Sequence, residues 1–336
     1  MSEQVQGNIG NNDALVVGVD IGGTKVAVGL VNAHGEIKRQ SRAPMAAAGS
    51  ADGGVAAVIS AIDSLFASDA AARKLVRGIG VCSPGPLDPK TGVIINPPNL
   101  PCWRNFPLAQ RMSQHFDVPV KVDNDGNAAA LAEARWGAGR GYRNVFYATI
   151  GTGIGSGIVF DGRIYHGRTG AAAEGGHVSI DYRGPRCACG KHGCIEVLAA
   201  GPAIARRARA KVAAEPARGA AILALANGSV EAVSSEMVGQ AYAAGDPLAE
   251  EILRETIQLL TQWLGNIIDL LEPDVIIIGG GAATMLVPFF GEIRDHLPAC
   301  SINPRCQEIP IVKAFYGADA GVAGGAALCW GPDAGA

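Results

Sequence analysis

The 336-residue sequence has no long hydrophobic run, and none of its apolar stretches approaches the roughly 18 residues that a membrane-spanning helix needs. Residues 1–13 are polar and lack the apolar segment of a secretory signal peptide. The formal charge is only −3, and the basic residues are scattered rather than gathered into the stripe typical of nucleic-acid binding. These absences predict a cytoplasmic protein that binds neither a membrane nor a nucleic acid.

Cysteine is also scarce, since eight cysteines are too few to form a disulfide scaffold in a chain of this size. Three of them nevertheless lie within residues 187–194, a spacing that indicates a metal site in a reducing compartment. The other five show no such spacing and are predicted to be buried or ordinary thiols: Cys82, Cys102, Cys300, Cys306 and Cys329.

Apolar residues and glycine are abundant, at 48% of the chain and 46 residues. A chain of this length suits two lobes better than one core, because domains usually contain about 50 to 250 residues. A strand, a glycine loop and a return strand over residues 15–37 are loosely repeated over residues 144–164. This repeat predicts an α/β protein in which two β-hairpins on facing lobes bring two glycine loops opposite each other, with room for a polyphosphate between them.

The first glycine loop, residues 20–25 (DIGGTK), lies in a predicted hairpin and does not match the P-loop. Its N–H groups and the Thr24 hydroxyl can bind phosphate oxygens, and Asp20 can hold Mg²⁺ through water. The alternative is a tight turn that needs glycine for positive φ. A second loop covers residues 151–157, and a third, residues 279–281, follows an apolar strand as nucleotide-facing loops do.

Asp125 follows a predicted strand, residues 118–122, and begins a predicted helix. A carboxylate held rigidly there suits the base that accepts a hydroxyl proton during phosphoryl transfer. The alternative is a helix N-cap, a place that Asp and Asn fill readily. Since Asp123, Asn124 and Asp125 cannot all cap one helix, at least one of them is predicted to be functional.

Glu174 and His177 are three residues apart, and Glu196 follows the last of the clustered cysteines. Such groups can bind the neighbouring hydroxyls of a sugar. The alternative is that they are surface charges, since a glutamate is seldom fully buried.

The cysteine cluster predicts a structural zinc site. Cys187, Cys189 and Cys194 offer three thiolates, and His177 can complete a closed Cys₃His tetrahedron. His192 is a competing ligand, although its place inside the loop favours a role in holding that loop. The remaining alternative is three free thiols, which an exposed loop seldom carries.

Together these segments resemble the ROK family of bacterial sugar kinases, and its glucokinase branch most of all, from about residue 14 to residue 330. The most specific segments are residues 20–25, 124–127 (NDGN), 174–177 (EGGH) and 187–196 (CACGKHGCIE). The resemblance implies an actin-like fold of two ribonuclease-H-like α/β lobes, with an interlobe cleft for ATP and sugar. It also implies a homodimeric enzyme that uses MgATP to phosphorylate a hexose on its 6-hydroxyl.

The resemblance makes Asp125 the base for that hydroxyl. The sugar-binding residues that it implies are Asn99, Asn124, Asp125, Glu174, His177 and Glu196. The residues that it places on the nucleotide side are Gly22, Gly23, Thr24, Lys25, Thr152, Gly153, Gly280 and Gly281. The zinc ligands that it implies are His177, Cys187, Cys189 and Cys194.

The implied division of the chain is a disordered leader (residues 1–13), a first lobe (14–123 and 318–336) and a larger second lobe with the zinc loop (124–317). Two positions depart from the family pattern, because Ala173 replaces a frequent glycine and Gly175 replaces a commoner apolar residue. Both changes are expected to loosen the wall of the sugar pocket and so to affect sugar preference more than catalysis.

Three alternatives remain. An N-acetylhexosamine kinase of the same family has room for a 2-acetamido group. A sugar-responsive repressor carries an N-terminal DNA-binding domain, whereas about a dozen polar residues precede the first strand here. An actin- or chaperone-like ATPase without a sugar does not explain the Glu, His and zinc segment. The sequence leaves open which 2-substituent the sugar carries and whether polyphosphate can replace ATP.

Overall fold

The computed structural model describes residues 13–45 and 50–331. The predicted disordered leader therefore lies outside the described residues, except for Asp13. In the part of the chain that the structure describes, no helix has both the length and the hydropathy to cross a membrane.

The strands are short and mostly apolar. In chain order they are β1 (Leu15–Ile21), β2 (Lys25–Asn32), β3 (Ile37–Pro44), β4 (Val76–Ser83), β5 (Leu87–Asp88), β6 (Val93–Ile94), β7 (Val120–Asn124), β8 (Asn144–Ile150), β9 (Ile154–Phe160), β10 (Arg163–Ile164), β11 (Val275–Gly279) and β12 (Ile311–Lys313).

The helices are concentrated in the second half of the chain. In chain order they are α1 (Ala51–Ala67), α2 (Ala70–Arg73), α3 (Leu108–Phe116), α4 (Asp125–Arg135), α5 (Ile195–Ala199), α6 (Gly201–Ala214), α7 (Ala220–Leu225), α8 (Ser235–Ala243), α9 (Pro247–Leu271), α10 (Ala283–Leu286), α11 (Phe290–His296) and α12 (Ala320–Cys329). Short 3-10 turns include Gly175–His177.

The two main sheets repeat one topology. The first has the order β3-β2-β1-β4-β7, and the second contains β9-β8-β11-β12 in that order. β1 pairs antiparallel with β2 and parallel with β4, and β8 pairs in the same way with β9 and β11. The repeated hairpin predicted from the sequence is therefore confirmed, because β1–β2 and β8–β9 hold equivalent places.

The chain divides into two compact units. Unit 1 is the described part of Met1–Gly137, Gly162–Ala172 and Asp319–Ala336, and unit 2 is Ala138–Asp161 and Ala173–Ala318. The predicted boundary between residues 123 and 124 differs from this division, because α4 packs on α12 and groups with unit 1. The segment Gly162–Ala172, which falls within the second predicted lobe, also groups with unit 1.

The core of unit 1 lies where α1 and α3 pack on the sheet. α1 buries Val55, Val58 and Ile62, whose spacing puts them on one face of the helix. Trp103 is fully buried, stacks on Phe106 with ring centroids 5.5 Å apart, and donates its indole N–H to a backbone oxygen of α1. Each such apolar side chain contributes about 1.5–3 kcal/mol when buried.

α12 packs on β1 and β4 so closely that glycine is required at the contact. A Cβ at Gly18 would lie 1.9 Å from the Val322 oxygen, and one at Gly321 would lie 2.3 Å from Cγ of Asp20. The end of β1, where Asp20 lies, is therefore shielded by a helix that approaches backbone to backbone.

The core of unit 2 is built on β11, which is buried along its whole length, as is typical of a strand in a parallel sheet. α9 supplies much of the remaining apolar surface and is capped by Asp246, which accepts the N–H of Ala249 at 2.7 Å. Trp263 of α9 packs edge-on against Phe146 of β8 at 5.7 Å. α9 therefore supports the strand that leads into the second glycine loop.

Candidate active site

Three consecutive polar residues join β7 to α4, and the structure gives each a different environment. Asn124 is the N-cap, since its Oδ1 accepts the N–H groups of Gly126 (2.9 Å) and Asn127 (3.4 Å). Asp123 is buried, whereas Asp125, the first residue of the helix, is exposed. The N-cap interpretation of Asp125 is therefore wrong, and its carboxylate remains available for another role.

The carboxyl groups of Asp20 and Asp125 both have raised pKa values. Burial raises the pKa of Asp20 to about 6, the charge of Asp125 adds to the rise, and Arg42 opposes it. Desolvation raises the pKa of Asp125 above 3.8, although the N–H of Gly126 opposes the rise from 2.8 Å. The Asp125 side chain is still open to solvent. It thus combines access for a substrate hydroxyl with a pKa moved toward the range that suits a general base.

The turn between β1 and β2 holds the first glycine pair. Neither Gly22 nor Gly23 has a positive φ, so the interpretation that the turn needs glycine for that conformation is wrong. A Cβ at Gly23 would lie 3.0 Å from the backbone oxygen of Asn99, so glycine permits a close approach here. The structure thereby places Asn99 beside this turn within unit 1, and Thr24 and Lys25 are exposed.

Glu174 and His177 are held by a 3-10 turn in unit 2. Trp263 donates its indole N–H to the Gly175 oxygen at 3.1 Å, and the N–H of Gly175 donates to Ser156 Oγ at 2.9 Å. A Cβ at Gly175 would lie 2.5 Å from that hydroxyl oxygen. Ser156 thus occupies the space that a side chain at position 175 would need.

Ala173, the other departure from the family pattern, has a φ of 66°. Glycine adopts this left-handed conformation freely, whereas it strains alanine, which explains the usual preference for glycine. Ser156 donates its hydroxyl to the Ala173 oxygen at 2.5 Å and so helps to hold the strained residue.

Glu196 connects the segments of unit 2. Its Oε2 accepts the N–H of Ile154 at 3.0 Å, and its Oε1 lies 4.0 Å from Nδ1 of His177. A Cβ at Gly153 would lie only 2.4 Å from that Oε2. Gly153 therefore makes room for a carboxylate. The predicted loop of residues 151–157 is also shorter than expected, because β9 already begins at Ile154 and extends the hairpin ladder.

A cavity of about 530 Å³ opens in unit 2 beside the second and third glycine loops. Thr152 and Gly281 line it, whereas Gly153 and Gly280 are not among its lining residues. The Gly151 oxygen accepts the N–H of Gly201, which ties the second loop to the start of α6. The remaining lining residues are Gly151, Gly201, Pro202, Ala205, Arg209, Ser234, Ser235, Glu236, Ala282 and Met285.

Sequence reasoning missed Arg209, Met285 and the Ser234–Glu236 segment, because they reach the cavity from three different helices. The sequence signal at Ser234 is that of an ordinary N-cap, and its hydroxyl does accept the N–H of Met237 at 3.3 Å.

The four predicted zinc ligands come together. The ligand atoms of His177, Cys187, Cys189 and Cys194 all lie within 4.8 Å of one another. His177 Nδ1 is 3.6 Å from Cys187 Sγ, and Cys189 Sγ is 3.6 Å from Cys194 Sγ. Tetrahedral zinc with bonds of about 2.3 Å to sulfur places two sulfurs about 3.8 Å apart, so the spacing of these donors fits that ion.

His192 is not part of this group. Its Nδ1 is hydrogen-bonded to the Gly184 oxygen at 3.1 Å, and its backbone oxygen accepts the hydroxyl of Ser179 at 2.6 Å. These contacts agree with a role in holding the loop.

The two repeated sheets, with loops at their strand ends, define the actin-like ATPase and hexokinase class of α/β folds. The ROK family model matches residues 16–331, and the chain belongs to the ROK family. Within it the chain is similar to glucokinases, as the resemblance implied.

Among relatives, a glucokinase of Streptomyces coelicolor is 32% identical over 95% of this chain and 98% of its own. An N-acetylmannosamine kinase of Escherichia fergusonii is 28% identical over 93% of this chain and 97% of its own. The crystal structure of a ROK family glucokinase from Streptomyces griseus, in complex with glucose and AMPPNP, has a TM-score of 0.79 and 34% identity. It covers 94% of this chain and 99% of its own. These similarities to ROK sugar kinases extend over nearly the whole chain, in sequence and in fold.

Proposed function

We propose that this chain is a glucokinase, which transfers the γ-phosphoryl group of MgATP to the 6-hydroxyl of glucose. The observation that carries the proposal is the exposed carboxylate of Asp125 at the start of α4. This carboxylate does not cap the helix, because Asn124 does. The glucokinase relatives support the choice of sugar. The proposal includes a cytoplasmic location, where MgATP is available and thiols stay reduced.

Asp125 accepts the proton of the 6-hydroxyl as that oxygen bonds to the γ-phosphorus and the bond to the β–γ bridging oxygen breaks. The charge of the transferred group is spread over its equatorial oxygens, so positioning and backbone N–H donors contribute most to the rate. The turn that contains Gly22, Gly23, Thr24 and Lys25 is assigned as the source of such donors in unit 1. The N–H of Gly22 is not among them, because it donates to the Lys25 oxygen at 2.8 Å.

The cavity of unit 2 is the proposed nucleotide site, since its volume lies in the range of about 300–1,000 Å³ that small-molecule sites occupy. Thr152 and Gly281 offer polar contacts, and Met285 offers an apolar wall. Gly153 and Gly280 are assigned a role in shaping these loops, because glycine there leaves room for Glu196 and for the backbone of Ile150. Mg²⁺ supplies charge neutralisation when bound, and the Asp20 carboxylate fits its preference for oxygen ligands.

The sugar hydroxyls are assigned to Asn99, Asn124, Glu174, His177 and Glu196. Glu196 is already oriented by the N–H of Ile154, so its Oε1, which lies 4.0 Å from Nδ1 of His177, is held in a fixed direction. Zinc, held by His177, Cys187, Cys189 and Cys194, cross-links the loop that carries the sugar-binding His177 and Glu196. In this proposal it stabilises the sugar pocket and takes no part in phosphoryl transfer.

The test is a coupled ADP-release assay with MgATP against glucose, mannose, fructose, N-acetylglucosamine and N-acetylmannosamine. A clear preference for glucose is the expected result. Preference for an acetamido sugar would replace glucokinase by the N-acetylhexosamine kinase that the Escherichia fergusonii relative suggests. No turnover with any of the five sugars, in folded and zinc-loaded protein, would overturn the proposal and favour a sugar-responsive regulator.

The proposal also includes a homodimer, which light scattering during size-exclusion chromatography tests. A monomeric mass at assay concentrations would contradict that part and leave the catalytic assignment intact.

A further inference from the structure

His166 makes a half-buried contact that the proposed reaction does not use. It lies in the segment Gly162–Ala172 of unit 1, and its Nε2 is 2.6 Å from Oδ2 of Asp123. The Asp123 side chain is only 5% exposed, whereas the imidazole is 33% exposed. Among the residues that the structure describes, His166 is the residue that forms an ion-pair contact with Asp123.

The other oxygen of Asp123 holds the turn that presents Asp125. Oδ1 accepts the backbone N–H of Asn124 at 2.7 Å and the side-chain amide of Asn127 at 3.1 Å. Asp123 therefore ties together the residue before Asp125 and the first turn of α4. Burial of a carboxylate is costly unless it is paired and hydrogen-bonded, so this arrangement depends on a partner for Oδ2.

His166 is the partner of Oδ2 of Asp123, at 2.6 Å. The hydrogen bond to Asp123 raises the pKa of the imidazole, while desolvation and the charge of Lys90 oppose the rise. His166 and Asp123 line a cavity of about 370 Å³ together with Lys121, Arg135 and Arg163. Arg135 donates instead to the backbone oxygens of Ala327 and Trp330, at 2.7 and 2.5 Å.

We propose that His166 is a positioning residue for phosphoryl transfer, which acts through Asp123 to hold the turn that carries Asp125. The proposal rests on the proposed function, because it assigns His166 a part in the kinase reaction. A carboxylate that shifts by about 1 Å from its productive position costs on the order of 100-fold in rate, so the effect of losing His166 is on turnover.

The first test compares His166→Leu, which removes the donor, with His166→Gln, which keeps an N–H donor. His115→Leu is the matched control, because His115 is a partly exposed histidine of unit 1 that lies 3.4 Å from Asp63. We expect His166→Leu to lower kcat at least tenfold while the KM values for sugar and MgATP change by less than about threefold. His166→Gln should recover most of the lost kcat, and His115→Leu should match the wild type.

Three outcomes would overturn the inference. These are an unchanged kcat in His166→Leu, a loss expressed in KM alone, and a loss that only follows the folded fraction in thermal unfolding. An inactive wild type would instead contradict the proposed function, and with it this inference.

A second measurement does not need activity. NMR titration should show that the His166 pKa falls in Asp123→Asn, since its main raising contact is lost. An unchanged His166 pKa would mean that the pair does not form in solution, and would overturn the proposal even if the enzyme is active.

Discussion

Units 1 and 2 share a sheet topology but differ in what lies at the ends of their strands. Unit 1 places ionisable side chains there, with Asp20 near the end of β1, Asp123 near the end of β7 and Asp125 just after β7. Unit 2 places glycine loops there and adds a cavity and a Cys/His group. In both units the sheet is a scaffold, and the chemistry depends on the residues at and just beyond the strand ends.

The comparison shows two ways to prepare a site on one framework. Unit 1 depends on the positions and pKa values of its carboxylates. Unit 2 depends on glycines in its loops, which leave room for other side chains, as Gly153 leaves room for Glu196. Substitutions in unit 1 should therefore change turnover or pH dependence, and those in unit 2 should change binding or stability.

The largest effect is expected for Asp125→Asn, which keeps the shape of the side chain and removes its basicity. Loss of a general base lowers kcat by about 10²–10⁴-fold. Glucose binding, measured by isothermal titration calorimetry, should persist with little change. Equal losses of binding and turnover would show that Asp125 holds the sugar and does not act as the base.

In unit 2 the corresponding large effect is on stability. Cys189→Ser should release zinc and lower the free energy of unfolding by about 3 kcal/mol. This is a fraction of the roughly 10–16 kcal/mol that zinc binding contributes in small zinc domains. Zinc content and urea unfolding measure this, with Cys300→Ser as the control outside the group. Full stability and activity in zinc-free protein would refute the bracing role.

Asp20→Asn tests whether a carboxylate of unit 1 makes the stability of the protein depend on pH. Because the folded pKa of Asp20 is raised to about 6, the stability linked to its protonated form is present below pH 3.8 and lost as pH rises through 6. The rise in the Asp20 pKa from 3.8 to about 6 corresponds to about 3 kcal/mol of unfolding free energy, and the partial exposure of the side chain reduces this to about 1–2 kcal/mol. Asp20→Asn should therefore be more stable than the wild type at pH 7.5 but not at pH 4, and nearly inactive.

Urea unfolding at the two pH values checks this prediction. Asp295→Asn, on an exposed position of α11, is the control and should show no such difference. An equal gain at both pH values would mean that the gain does not come from ionisation of Asp20.

Gly153→Ala tests whether glycine in the second loop is needed to leave room for the Glu196 carboxylate. The added Cβ would lie 2.4 Å from Oε2, so the carboxylate must move and lose the N–H of Ile154. We expect the KM for glucose to rise about tenfold, as the loss of a hydrogen bond to a charged group costs about 1.5–3 kcal/mol. The KM for ATP should rise less, and Gly291→Ala, which meets open space, is the control. A larger rise in the KM for ATP would assign Gly153 to the nucleotide.

The smallest effect is expected for Ala173→Gly. A left-handed conformation costs alanine about 1–2 kcal/mol, and the greater chain entropy of glycine offsets about 0.5–1 kcal/mol of the gain. The free energy of unfolding should therefore rise by about 0.5 kcal/mol in a urea titration. Ala171→Gly, where φ is not positive, should be neutral or destabilising instead.

Much of the fold could be predicted from the sequence because its strands and loops carry strong local signals. The apolar run at residues 144–150 predicts β8 where the structure has it, and the order of apolar runs and glycines predicts the repeated hairpin. The predicted loop of residues 151–157 was too long, since Ile154 and the residues after it continue the ladder of β9. Local glycine content does not reveal whether a segment pairs with a neighbouring strand.

The candidate site could be predicted only where its residues are close in sequence. Cys187, Cys189 and Cys194 lie within eight residues, so their spacing alone indicated a shared ligand group. His166 and Asp123 are 43 residues apart, and Arg209 and Met285 reach one cavity from separate helices. No local pattern links such residues, because it is packing that brings them together.

The sequence by itself determined the family, the repeated α/β plan and the identity of the reactive groups, since these depend on residue type and short-range order. Only the tertiary structure decided which of the three polar residues at 123–125 is the cap, which is buried and which is exposed. The physical reason is that capping, burial and pKa depend on neighbours supplied from elsewhere in the chain, such as His166 beside Asp123 and Gly321 beside Asp20.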